Sequence, residues 1–121
     1  MIGYLTIGTN DFDRALTFYD AVLAEMGAGR AFGSDRMQGY ASKAGGAMLA
    51  ICKPYNGEPA TAGNGTMISL SGTSHEHVDR VYAKAIAAGA TDDGAPGIRT
   101  GTFYGAYFRD PDGNKICVYT M

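Results

Sequence analysis

Residues 107–116 read Tyr-Phe-Arg-Asp-Pro-Asp-Gly-Asn-Lys-Ile (YFRDPDGNKI), and this stretch decides the architecture of the chain's end. Pro111 presets its own φ, Gly113 can take a positive φ at no steric cost, and Asp and Asn side chains bond readily to nearby backbone. The segment Asp110-Pro111-Asp112-Gly113-Asn114 is therefore expected to turn the chain tightly between two strands, at 102–109 and 115–119.

Working back from the hairpin, residues 90–94 form a further strand candidate, preceded by an amphipathic helix. That helix is expected to begin near Thr73 or Ser74. Thr73 and Glu76 stand three apart, as a capping box requires, Val78, Val81, Tyr82, Ala85 and Ile86 form its apolar stripe, and Gly89 ends it. Residues 66–71 precede it as a strand, with Ile68 and Leu70 alternating with Met67 and Ser69. Before that, residues 54–65 (PYNGEPATAGNG) carry two prolines, three glycines and no periodicity, and read as a connector.

The first half repeats this order. A strand is expected at 2–8, where Leu5 and Ile7 alternate with Tyr4 and Thr6. A helix follows, capped by Asn10 or Asp11, with Asp13 in its first turn. Phe12, Ala15, Leu16, Tyr19, Val22, Leu23 and Met26 lie on one face, and Gly27 is the stop. Glycine-punctuated short apolar runs between 28 and 53 predict three strands, the last at 47–52. A period of roughly 60 residues argues for two copies of one βαβββ module. The expectation is one α+β domain over 1–121, with module one at 1–53, the connector at 54–65 and module two at 66–121. The modules would form a mixed, half-barrel-like sheet around a concave trough, with helices outside. Whether they pair within one chain or between chains stays open.

The duplicated module, the run Thr9-Asn10-Asp11-Phe12-Asp13-Arg14-Ala15 with Phe18-Tyr19, and the ending Tyr107 to Ile116 together resemble the glyoxalase/bleomycin-resistance/dioxygenase (vicinal oxygen chelate) superfamily, over the whole chain. The Lys-Pro-Tyr connector with Gly-Asn-Gly-Thr is similar to a glyoxalase-like subgroup. In metal-dependent members, the resemblance implies, four ligands, mostly His and Glu, come from the first and last strand of each module and point into the trough. The matching positions here are Tyr4, Ala50, Met67 and Cys117. Side-chain parity agrees, because Leu5, Ile7, Leu49, Ile51, Ile68, Leu70, Ile116 and Val118 can then all face the helices. A magnesium, manganese, nickel or iron(II) centre wants carboxylate and imidazole donors, and zinc wants several thiolates or imidazoles. The expectation is no metal and no cofactor.

Tyr107 and Tyr119 join those four as candidate ligand-binding residues, since eight tyrosines and no tryptophan supply aromatic faces with a hydroxyl donor. No catalytic residue is assigned, and whether the chain is an enzyme stays open. No His or Lys is expected to be placed so as to activate the Cys117 thiol, which is read as packed. His75 and His77 are read as solvated residues of a helix start, and Asp92 and Asp93 as turn residues. Gly63-Asn64-Gly65-Thr66 precedes a strand, not a helix, so a dipole-assisted phosphate loop is not expected. Lys53 and Arg99 could meet an anionic ligand at the trough mouth.

A formal charge of −2 with scattered cations argues against a nucleic-acid partner, and no apolar run is long enough to span a bilayer. A cytoplasmic protein with an unidentified small-molecule partner is expected, and the resemblance implies a homodimer. Three functions remain in play: a metal-free binding protein of the bleomycin-resistance type, a metal-dependent lyase or dioxygenase with displaced ligands, and a fold kept only for association.

Overall fold

In the computed structural model, which describes residues 1–121, the chain runs as two successive βαβββ units. The first comprises β1 (Tyr4–Gly8), α1 (Phe12–Ala24), β2 (Ala28–Gly33), β3 (Met37–Ser42) and β4 (Met48–Cys52). The second comprises β5 (Ile68–Ser71), α2 (His75–Ala87), β6 (Thr91–Thr100), β7 (Phe103–Arg109) and β8 (Lys115–Thr120). They form two four-stranded mixed sheets ordered β1-β4-β3-β2 and β5-β8-β7-β6, each with one parallel pair and two antiparallel pairs. The fold is α+β with open sheets, as the module pattern leads one to expect.

The helix termini follow local chemistry. Asp11 caps α1 by accepting the Arg14 N–H at 3.1 Å, with Asp13 in the first turn complementing the positive helix end. Gly27, at φ +69°, carries the chain away from it. At α2 the capping residue is Ser74, not Thr73, and it accepts from His77 N–H. The expected Thr73–Glu76 box is therefore replaced by a cap one residue later. The strand expected at 90–94 extends through Thr100 and includes Pro96. β6 is an edge strand, and Pro96, which has no N–H to donate, falls in the register shift between Gly94 and Gly97, where the ladder is already interrupted.

Parity places Ile7, Leu49 and Ile51 of the first sheet, and Phe108, Ile116 and Val118 of the second, in one buried cluster with α1 and α2 residues. Leu5, Ile68 and Leu70 pack against it. The helices touch each other, and Phe18 of α1 meets Phe108 of β7 edge to face at 6.4 Å. Because the covered faces of both sheets look into this one core, their uncovered faces look outward. No strand pairing joins the two sheets within the chain. Each chain thus presents two separate open faces.

The 107–116 stretch clasps the modules together. The Tyr19 hydroxyl donates to Asp110 Oδ2 at 2.6 Å, Thr9 Oγ1 to Asp112 Oδ2 at 2.6 Å, and Asn114 Nδ2 to the Gly8 carbonyl at 3.0 Å. The Asn10 N–H donates to Asp112 Oδ1 at 2.9 Å. Asp110 is almost fully buried, yet its carboxylate also accepts from the Asp112 and Asn114 N–H groups and from Asn114 Nδ2, which offsets its desolvation. Burial, with the Asp110 charge next, pushes the Tyr19 hydroxyl well above its ordinary pKa.

Candidate functional site

On the first open face, Thr6, Ala50, Gly39 and Phe32 line up across β1, β4, β3 and β2. A Cβ on Gly39 would overlap the Phe32 ring, so the missing side chain is what lets that ring lie over the sheet. Phe32 meets Tyr4 edge to face at 6.3 Å, and both remain partly open to solvent. Ala50 is buried beneath its neighbours.

The second open face repeats the arrangement. Ser69, Cys117, Tyr107 and Gly94 form one row across β5, β8, β7 and β6, and Ser71, Tyr119, Gly105 and Gly97 the next. Phe103 occupies the space that a Cβ on Gly105 would need, at 2.7 Å, and stacks on Tyr119 with centroids 5.0 Å apart. Met67 lies just before β5, 41% exposed. Each sheet therefore carries an aromatic pair beside a glycine of its third strand, exposed on the first sheet and half-buried on the second. Sequence reading missed Phe32 and Phe103; the glycines at 39 and 105 in the two repeats were the signal that could have found them.

Tyr107 lies between two cations, with the Arg99 guanidinium carbon 5.3 Å and Lys115 Nζ 5.4 Å from its ring centroid. Burial pushes the Cys117 thiol up, while hydrogen bonding from Ser69 and the charges of Arg99 and Lys115 act the other way. Cys117 is thus held as a packed thiol and lacks the activation a nucleophile needs. Of the two cations expected at a trough mouth, Arg99 reaches this face, whereas Lys53 lies over the Phe12 ring.

Of the six candidate residues, Met67, Tyr107, Cys117 and Tyr119 share the second face, and Tyr4 and Ala50 share the first. The four positions where the resemblance puts metal ligands are therefore split two and two between separate sheets. Their donor set of phenol, methyl, thioether and one thiol does not fit a magnesium, manganese, nickel, iron(II) or zinc centre. Nowhere in the chain do three or more His, Cys, Asp or Glu side chains cluster in a way that could hold an ion.

Of the two histidines, His75 is exposed at the first residue of α2 as expected, whereas His77 departs from expectation. His77 is buried; the Thr73 N–H donates to its Nδ1 at 3.1 Å, so Nε2 carries the proton and donates to the Glu25 carbonyl at 2.6 Å. It ties the start of α2 to the end of α1, a contact between modules that helix spacing alone does not reveal. His75 stacks on Tyr104 at 3.9 Å. Asp92 accepts from the Tyr82 hydroxyl at 2.7 Å, and Asp93 pairs with Arg109 and Lys115, so both belong to β6 and its neighbours, not to a turn.

The largest cavity, about 420 Å³, lies apart from both aromatic pairs, touching the second sheet only at Ser69, Leu70 and Ser71 of β5. It occupies the seam between the modules, where Leu23, Met26, Tyr40 and Leu49 of the first approach Leu70 of the second. Its walls are continuous with the core and carry no titratable group apart from the Tyr40 phenol, which hydrogen-bonds Asp20.

Comparison with known proteins bears on all of this. The family model of the Glyoxalase/Bleomycin resistance protein/Dioxygenase superfamily matches residues 1–118. A glyoxalase/bleomycin resistance protein from Albidiferax ferrireducens T118 is 38% identical, with a TM-score of 0.90 over 100% of this chain and 98% of that one. Two more distant structures share the fold. A glyoxalase-related enzyme from Fulvimarina pelagi gives 18% identity and a TM-score of 0.81 over 100% of this chain and 88% of that one. A lactoylglutathione lyase from Agrobacterium tumefaciens gives 21% and 0.71 over 99% and 92%. No curated protein matches the chain. With a family match across nearly its whole length, a duplicated βαβββ fold and a relative that superposes end to end, this chain belongs to the Glyoxalase/Bleomycin resistance protein/Dioxygenase superfamily.

Proposed function

We propose that this protein binds a small organic molecule on its open sheet faces through shape and aromatic contact, without a metal centre. In this reading Tyr4, Ala50, Met67, Tyr107, Cys117 and Tyr119 line the binding surface. A homodimer sets the first sheet of one copy over the second sheet of the other, completing a trough from two half-sites. The observation that carries the reading is the pair of aromatic shelves, Tyr4 with Phe32 and Phe103 with Tyr119, on faces whose ligand positions lack metal donors. Exposed Tyr4, Phe32, Met67 and Ile98 support the dimer, since covering them removes apolar surface from water.

A thermal-shift screen against aromatic metabolites and antibiotics tests the binding. A ligand at 100 times its dissociation constant adds about 2.7 kcal/mol to stability, which is readily seen as a rise in Tm. Tyr4→Asp and Met67→Asp are each expected to abolish that rise; binding retained in both would move the site elsewhere. Elemental analysis of protein purified without chelator tests the rival reading of a metal-dependent lyase or dioxygenase with displaced ligands. Near-stoichiometric metal would overturn the metal-free assignment. Sedimentation at micromolar concentration tests the dimer, and a monomer there would leave each half-site incomplete.

A further inference from the structure

Next to Met67, where the second open face ends, a cleft of about 380 Å³ is lined by residues 63–67 and by Arg109 and Lys115. We propose that this cleft holds the anionic group, a phosphate or carboxylate, of the small molecule whose apolar part lies on the open face. The inference rests on the open-face reading for that apolar part and on the cleft itself for the anion.

Three independent features support it. Arg109 and Lys115 are directly opposite each other in the β7–β8 ladder, an arrangement that like charges disfavour. Asp93 of β6 holds both, at 3.0 Å from Arg109 Nε and 3.6 Å from Lys115 Nζ, so the trio keeps one net positive charge. No acidic side chain lines the cleft, so that excess is not cancelled inside it. Across the cleft the loop is held by a turn in which the Thr66 N–H donates to the Gly63 carbonyl at 3.2 Å, and Gly65 sits at φ +95°. The Asn64 and Gly65 N–H groups have no acceptor within the chain, which leaves donors beside a cationic wall.

The third feature links cleft and face. Lys115 stands over the Tyr107 ring, and Arg99, which has no carboxylate within ion-pair distance, approaches that ring as well. A planar anionic molecule could thus set its charged end against Lys115 and Arg109 and its ring along Tyr107. The Gly-Asn-Gly-Thr loop is followed by a strand, so no helix dipole contributes. The positive charge comes instead from β7 and β8, more than forty positions later in the chain, which is why the motif looks inert in sequence.

Inorganic phosphate, phenyl phosphate and phenol, titrated at low salt with backbone amide NMR as readout, test the proposal. Inorganic phosphate should shift the Asn64 and Gly65 amides saturably, and Lys115→Gln should weaken it at least tenfold while leaving the urea midpoint unchanged. Phenyl phosphate should bind more tightly than inorganic phosphate. No saturable shift, or equal affinity in Lys115→Gln, overturns the anion cleft. Phenol binding to the open face without any phosphate binding also overturns it while sparing the open-face reading. Phosphate binding with no gain for phenyl phosphate upholds the cleft and removes that reading instead.

Discussion

Removing one oxygen from the clasp between the modules, in Tyr19→Phe, should cost about 2 kcal/mol of stability, because a hydrogen bond to a charged group is typically worth about 1.5–3 kcal/mol. The lost bond is the 2.6 Å donation to Asp110, whose carboxylate keeps three other donors, the N–H groups of Asp112 and Asn114 and the Asn114 amide. It therefore stays hydrogen-bonded, and the penalty does not grow to that of an abandoned buried group. The ring remains, so packing with Phe18 at 4.9 Å is kept and no cavity large enough for water opens. With a urea m value of about 1.5 kcal/mol per M, the midpoint should fall by roughly 1.3 M at unchanged slope. Tyr40→Phe is the internal control. Its hydroxyl also meets a carboxylate, Asp20, at 2.8 Å, but that carboxylate is 44% exposed and keeps both Arg30 bonds, so the cost should stay under about 1 kcal/mol. Equal midpoints for wild type and Tyr19→Phe, or a larger loss in Tyr40→Phe, would refute the assignment of Asp110 as the polar link between the modules.

Stability should also fall at alkaline pH. Tyr19 and Tyr40 have folded pKa values raised above the ordinary tyrosine value, by burial first and then by Asp110 and Asp20 respectively. Their contribution is complete below about pH 10, where unfolded tyrosine titrates, and is lost as pH rises through the folded values. Urea midpoints measured upward from pH 9 should therefore drop, and less steeply in Tyr19→Phe. Asp20 behaves oppositely: bonding to Arg30 lowers its pKa, so its small share is present above about pH 4 and lost on acidification. His77→Ala removes the bonds to Thr73 and Glu25 and should cost about 1–3 kcal/mol in urea unfolding, whereas His75→Ala should stay within about 1 kcal/mol. Iodoacetamide at neutral pH should label Cys52 before Cys117, since Cys117 is buried and its thiol is pushed up; mass spectrometry showing Cys117 labelled first would contradict the packed-thiol assignment.

Local chemistry made much of this protein readable from its amino acids. Alternation at Leu5 and Ile7 or Ile116 and Val118, helical stripes ending at Gly27 and Gly89, and a repeating order of elements specify two βαβββ units, because each depends on residues a few positions apart. The same parity turned Tyr4, Ala50, Met67 and Cys117 away from the helices, toward what reads in sequence as one trough, and showed that they hold no carboxylate or imidazole. Tertiary structure decided the rest. That the open faces look outward depends on both sheets sharing one core, and that the hairpin clasps the β1–α1 junction depends on partners about a hundred residues apart. The burial of His77, the rings of Phe32 and Phe103 laid over Gly39 and Gly105, and the meeting of Arg109 and Lys115 with the Gly63-Asn64-Gly65 loop are likewise contacts across the fold. Period and propensity describe neighbours along the chain, whereas a binding surface is made by residues that only packing brings together.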